Sequence, residues 1–326
     1  MNRFDSSTKP LVWFSALLLT AVVAGCGGND PILGAGAGGT VSAGPAGITA
    51  ANILKTAAPF GIAATAGVTN TNTAPITIIN GDVVLDPVSG ATCNAVAVDN
   101  AGGFGLCGSA ILPSAFAPIL GGTSKVYSGL YDPLAAVSGV VADLKSAFLQ
   151  ITPPAGPPAA GSLGGATNLP AGTTLGAVTG SALVLNDNLF YPGVYQSLTS
   201  IMVTGDLTLD AQGNPDAVFV FQSSSSVGTA AGGPTPASRT RILLVNGAKA
   251  SNVWWQAATS ATLGLYSEFQ GNILASADIT METGATSCGR LLAGAFTSGA
   301  FVFDSNVVSV PGQPFAPPAG YSTTCQ

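Results

Sequence analysis

Histidine is absent from this chain, and charge of either sign is scarce: nine Lys and Arg and fifteen Asp and Glu make up only 7% of 326 residues. Without imidazole, the commonest general base at neutral pH and the commonest transition-metal ligand are both missing, so an enzyme would have to work with carboxylates and hydroxyls alone. Nine cations spread over this length cannot form a phosphate-binding track, which argues against nucleic acid as a partner. The usual charged fraction is about 25%, so most of the surface must be Ser, Thr, Asn, Gly and Ala. The cysteines are widely spaced and have no His beside them, which fits no metal centre. Asp206, Asp210 and Asp216 could suggest calcium, but Asp210-Ala211-Gln212-Gly213-Asn214 reads more simply as a turn. No two acids can be assigned to one cleft, so glycoside cleavage has no support. We expect no enzyme and no cofactor.

The first residues read as a targeting segment. Arg3 and Lys9 precede an apolar run, Leu11 to Val23, that is short for a membrane span of about 20 residues. The run leads into Val23-Ala24-Gly25-Cys26, which resembles a bacterial lipobox. Residues 1–25 are therefore expected to be a lipoprotein signal peptide and Cys26 the lipid-carrying residue of an exported, membrane-anchored chain. The Gly-rich stretch 26–48 reads as a flexible tether. Four cysteines remain in the exported part, an even number that suggests disulfides. Three connectivities are open; we favour Cys93–Cys107, a short local loop, and Cys288–Cys325, which would pin the C-terminal tail 311–326.

What the sequence does have is near-repetition. Leu207-Thr208-Leu209, Ile242-Leu243-Leu244, Ala261-Thr262-Leu263, Ile279-Thr280-Met281 and Phe301-Val302-Phe303 are short apolar runs. A second set lies between them: Val218 to Phe221, Val253-Trp254-Trp255, Asn272-Ile273-Leu274 and Arg290-Leu291-Leu292. Leu263 to Met281 and Leu274 to Leu292 are each about 18 residues apart. A fixed period near 20 with β-rich repeats indicates a solenoid, whose coils bury their inner faces only by stacking. Asn80-Gly81-Asp82 is a turn between two β-like runs, and 88–130 reads as an inserted cap or loop region containing the short Cys pair. A helix is expected over 132–150. Asp132 would be its N-cap, Pro133 its first residue, and Leu134, Val137, Val141, Leu144 and Phe148 one apolar face.

At this point the chain resembles a known family. The run Leu207 to Gln222 is similar to ice-binding proteins built on an irregular β-solenoid. So are Leu244 to Ala248, Asn252 to Gln256, Ser260 to Gly264, Phe269 to Ala275, Thr283 to Thr286, Gly289-Arg290 and Asp304 to Asn306. The resemblance covers roughly Ala50 to Val310. It implies an all-β-dominated domain over 49–310, a right-handed irregular β-solenoid of triangular section with one long α-helix packed alongside. It also implies an N-terminal segment that returns to pair beside the C-terminal coils. Several members bind ice through one flat face, and others have no demonstrated activity, so fold follows more firmly than function.

Ice recognition calls for a surface rather than a catalytic constellation. The surface must be flat and rigid, with methyl groups that order water and single hydroxyls that anchor it. Thr supplies both on a stiff side chain, whereas strong charges keep their own hydration shells. The candidate residues are Thr259, Ser260 and Thr262, then Thr283, Ala285 and Thr286, with Thr280, Thr297 and Ser298 next. Thr-Gly-Ala-Thr is also a plain corner signal. One coil before Thr283 to Cys288 stand Leu265, Tyr266 and Glu268, with Lys249 earlier still, and these would roughen that wall if it met ice. The expected partners are an ice crystal surface and, through the anchor, a membrane; a monomer is expected. The competing expectation is a surface adhesive or structural module that binds polysaccharide or protein.

Overall fold

The computed structural model describes residues 44–70, 77–85, 119–120, 124, 126–128, 139–153, 167–169, 172–176, 188–313, 315, 317–322 and 325. Its strands form three parallel sheets of nine, seven and eight strands, each the wall of one triangular solenoid. One coil runs through Val253–Ala257, Ala261–Leu263 and Glu268–Gln270, and the next through Asn272–Ala275, Ile279–Met281 and Thr286–Cys288. Gln256 pairs with Leu274, Thr262 with Thr280 and Phe269 with Ser287. The 18-residue spacing read from the sequence is therefore one circuit of the triangle.

Two sets of apolar runs could not reveal three walls. Leu207 to Leu209 and Ile242 to Leu244 lie on one wall, whereas Ala261 to Leu263, Ile279 to Met281 and Phe301 to Phe303 lie on another. All share the period of two that turns alternate side chains inward. The inward ones make the core. Tyr195, Phe221 and Trp255 stack on successive coils with ring centroids 5.3 and 4.2 Å apart, and Phe269 closes on Trp255 at 5.5 Å. Each fully buried ring contributes roughly 2–3 kcal/mol. Parallel pairing holds the rings in register, because consecutive strands are about 4.8 Å apart.

Stacking order differs from chain order, as the resemblance implied. Phe60–Ala64, Gly67–Asn70 and Ile78–Asn80 form a coil laid on the last C-terminal one. Ile62 pairs with Leu291, Thr69 with Val302 and Ile79 with Val308. Asp82–Leu85, Ile119–Leu120 and Val126–Ser128 extend the stack beyond it. The opposite end holds Thr167–Leu169, Thr173–Leu175 and Leu189–Phe190.

Two helices cover the nine-stranded wall, α1 (Ala50–Leu54) and α2 (Val140–Gln150). Val140, Leu144, Ala147 and Phe148 pack with Ala63, Val220, Trp254, Leu274 and Leu292 in a second apolar cluster outside the solenoid. Trp254 thus faces the helices while Trp255 enters the core, as alternation requires. Gln222 Nε2 donates to the Ile151 carbonyl at 2.7 Å, satisfying a helix-end acceptor. Thr56 Oγ1, in the 3-10 turn that follows α1, donates to Asp143 Oδ2 of α2 at 2.6 Å.

Two expectations need correction. The helix does not begin at Pro133 and run unbroken: Gly139 stands at φ +89°, a left-handed conformation that breaks any helix, and α2 begins at Val140. Val140, not Val141, consequently joins the buried face. The tether does not stay free to residue 48, because Ile48 is buried in the helix-side cluster. Gly44 (φ +74°) lies so close to the nine-stranded wall that a Cβ would sit 2.2 Å from the Val218 carbonyl oxygen. The signal peptide, Cys26, Cys93, Cys107 and residues 132–138 lie outside the described residues.

Candidate functional site

Two of the three walls are covered, and the cover identifies the third. The helices occupy the nine-stranded wall. The eight-stranded wall lies beneath the chain end and the loop that carries Arg239. There Tyr321 Oη donates to the Gly284 carbonyl at 2.8 Å, Ser322 N–H donates to Glu268 Oε2 at 3.0 Å, and Cys325 is disulfide-bonded to Cys288. The seven-stranded wall is bare among the described residues: Thr262, Val302 and Met202 are exposed, and Thr69, Thr174 and Thr280 are half-buried.

Its outward side chains form two rows along the solenoid axis. The central row is Thr69, Val302, Thr280, Thr262, Gly228, Met202 and Thr174, each in register with the next. The inward neighbours of Thr262, Ala261 and Leu263, are buried, as are those of Thr280, Val302 and Met202. The second row lies two residues earlier: Gly67, Ala300, Asp278, Ser260, Ser226 and Ser200. Backbone N–H groups of Ala261, Val227 and Ile201 donate to the carbonyls of Asp278, Ser260 and Ser226 at 2.9, 3.3 and 2.9 Å, so the ladder continues through these positions. Gly228 leaves no empty notch. A Cβ there would meet the Thr262 carbonyl oxygen at 2.9 Å and the Met202 Cε and Sδ at 3.4 and 3.5 Å, the flexible thioether lying across it.

The seven strands themselves hold no Lys, Arg, Asp or Glu. Carboxylates stand beside the strands and are engaged by neighbouring groups. Asp278 Oδ1 accepts from the Ala300 N–H at 2.8 Å, and Glu282 Oε2 from the Leu265 N–H at 3.0 Å. Asp304 Oδ2 accepts from the Thr283 hydroxyl.

The structure divides the sequence candidates. Ser260, Thr262 and Thr280 come together on the bare wall. Thr259, Thr297 and Ser298 are exposed at the corner between the bare wall and the helix-covered wall. The Thr283 group does not belong with them. Thr283 is half-buried at the opposite corner, Ala285 is fully buried, and Thr286 is 3% exposed beneath the tail. Thr-Gly-Ala-Thr is a corner followed by a covered strand. The residues expected to roughen a binding wall are also elsewhere. Glu268 is buried and bonded to Arg239 at 3.0 Å, Tyr266 lies over Gly284, and Lys249 precedes a short 3-10 turn leading into the helix-covered wall. Only Leu265 is exposed, at the corner. The Asp210 run is a turn: Asp210 Oδ1 accepts from the Gln212 N–H at 2.7 Å, and Asp206 pairs with Arg241 at 2.5 Å. A polar open cleft of about 340 Å³ lies between Pro59, Asp82, Ser124, Tyr127 and Gln313, away from the bare wall.

Sequence reasoning missed Thr69, Thr174, Val302 and Met202. Met202 and Val302 carry the same three-residue signal as Thr262, an outward side chain between two inward ones. Thr69 has no local signal, since its row is set by pairing with a strand more than two hundred residues away.

Comparison with known proteins agrees with this geometry. A family model described as Ice-binding-like matches residues 62–308. An ice-binding protein of Flammulina populicola is 30% identical over 277 residues, which is 84% of this chain and 92% of that protein. One from Nostoc sp. (strain HG1) is 46% identical over 119 residues, 36% of this chain, and the match spans only 40% of the Nostoc protein. The crystal structure of an ice-binding protein from the Antarctic ascomycete Antarctomyces psychrotrophicus superposes with a TM-score of 0.55 at 29% identity. That match covers 78% of this chain and 96% of the other.

Proposed function

The chain belongs to the ice-binding-like family, and we propose that it adsorbs to ice through the bare seven-stranded wall. The observation that carries this reading is the central row: Thr69, Val302, Thr280 and Thr262, four β-branched side chains on four consecutive coils of an uncovered wall. Their spacing follows the strand separation of about 4.8 Å, close to the repeat of the ice lattice. β-branched residues have few rotamers, so the row is stiff before it meets anything. Methyl groups on such a row order the adjacent water, and each Thr hydroxyl holds one water by a hydrogen bond. The ordered layer can then join a growing crystal. Ice between adsorbed molecules has to grow as a curved front, which melts at a lower temperature than a flat one, and growth and recrystallisation slow.

The same reading extends to the cell envelope. Cys26, after an apolar run and small residues, supports export and lipid anchoring. Copies sharing one membrane would engage a crystal with the avidity of a multivalent surface. The test uses the mature chain with Cys26→Ser, which removes the acceptor for lipid, and with the Cys288–Cys325 disulfide formed. Micromolar protein should facet growing ice crystals and halt recrystallisation. Crystals that grow as round discs at that concentration would refute the proposal.

A further inference from the structure

We propose that Asp278 is the residue that limits this wall's hold on ice, and that neutralising it while keeping its hydrogen bond strengthens adsorption. The inference rests on the wall assignment above and concerns one position within it. Row neighbours of Asp278 along the axis are Ser260 and Ser226 on one side, and Ala300 and Gly67 on the other. All are small and uncharged. Asp278 is exposed, next to the exposed residues of the central row, in the middle of the four coils that carry Thr69 to Thr262. Glu282 and Asp304 stand at the far edge of the wall, and both are half-buried. Among the described residues of these coils, Asp278 therefore places the one exposed carboxylate where a flat water layer has to form.

The physical conflict is between hydration and lattice order. A carboxylate binds several waters tightly, with hydrogens pointing inward, and that arrangement does not match a plane of ice. Either the shell is stripped, at the cost of desolvating a charge, or the ice stays one layer away. Structure explains why the charge is tolerated. Oδ1 accepts from the Ala300 N–H at 2.8 Å, closing the corner between the strands Asn272–Ala275 and Ile279–Met281 onto the next coil. That role needs an acceptor oxygen and no charge. Asn supplies the same oxygen.

The experiment compares Asp278→Asn with the native chain and with Asp278→Glu, in recrystallisation inhibition and freezing-point depression. The Asn variant should act at a concentration lower by roughly tenfold, the equivalent of one polar desolvation relieved. The Glu variant keeps the charge and should show no gain. Asp278→Ser, which copies Ser260, is a second neutral variant should Asn lower the thermal midpoint. Neutral variants no stronger than an active native chain would overturn this inference and leave the wall assignment standing. Inactivity of the native chain and of both neutral variants would overturn both. A native chain without activity and an active Asn variant would refute adsorption by the native chain and support this inference, identifying the carboxylate as the block.

Discussion

The bare wall and the tail-covered wall are built on one plan and end up with opposite exposure. Both are parallel, both alternate inward and outward residues, and both carry Thr at outward positions: Thr262 and Thr280 on one, Thr208 and Thr286 on the other. They differ in the company those threonines keep. The outward row through Thr286 also holds Asp206, Arg241 and Glu268. Arg241 pairs with Asp206, and Glu268 is bonded to Arg239, whose guanidinium lies 3.4 Å from the Tyr321 ring centroid. Charges there attract a cover, and the cover removes the wall from solvent. Among the described residues, the outward rows of the bare wall have a single carboxylate, Asp278, and no cation to pair with a strap. Threonine content does not distinguish an open wall from a covered one; the presence of polar partners for a covering segment does.

Breaking the comparison most severely means exchanging bulk between the walls. Thr280→Tyr should abolish ice faceting while the thermal midpoint stays within a degree or two, because the ring projects into solvent. Thr286→Tyr should do the reverse, leaving faceting intact and lowering the midpoint as the ring meets the tail. Crystal morphology and thermal unfolding on the same preparations would decide, and equal loss of faceting from both would show that the wall assignment is wrong.

Next in size is the buried pair beneath the tail. Glu268→Gln leaves the Arg239 guanidinium, 2% exposed at its side chain, without its counter-ion. We expect a loss of about 3–5 kcal/mol in chemical denaturation, the usual result of removing one partner of a buried pair. Ice activity of the remaining folded protein should be unchanged. Cys325→Ser removes a bridge spanning 37 residues and should cost about 2–3 kcal/mol, again without touching the bare wall.

The smallest effect sharpens the contrast with the helix-covered wall. The Thr56 hydroxyl and N–H, with Lys55 nearby, hold the Asp143 carboxyl below its ordinary value. A depressed carboxylate contributes stability that is present above its unfolded value near 3.8 and lost as pH falls through the lower folded value. Asp143→Asn should therefore flatten the acid limb of the stability profile below about pH 4, by at most about 1 kcal/mol because the pair is partly solvated. An unchanged acid limb would assign the acid sensitivity to other carboxylates.

Much of this was legible in the residues. The 18-residue interval between Leu263 and Met281 is one turn of the solenoid. The resemblance implied the returning N-terminal coil, and Cys288 does meet Cys325. Ser260 and Thr262, named in one cluster, and Thr280, named in another, lie on the same wall. Thr283 to Thr286 misled because a Thr-Gly-x-Thr run looks the same at a corner as on a face, and local sequence does not record what lies on top of it. The unbroken helix from Pro133 misled because apolar spacing continues across Gly139, a residue free to take the left-handed backbone that ends a helix.

The chain by itself determined its winding, since period-two alternation of apolar residues at an 18-residue interval leaves stacked coils as the way to bury every inward side chain. It also determined that the exterior would be neutral, because there is little charge to place there. Which of three similar exteriors stays open was decided only in three dimensions. Helix α2, the tail after Val310 and the Arg239 loop each find a wall whose outward residues offer apolar surface or hydrogen-bond and ionic partners. Among the described residues, the wall of Thr262 and Thr280 offers short, uncharged side chains on its strands, which give a covering segment no ionic partner.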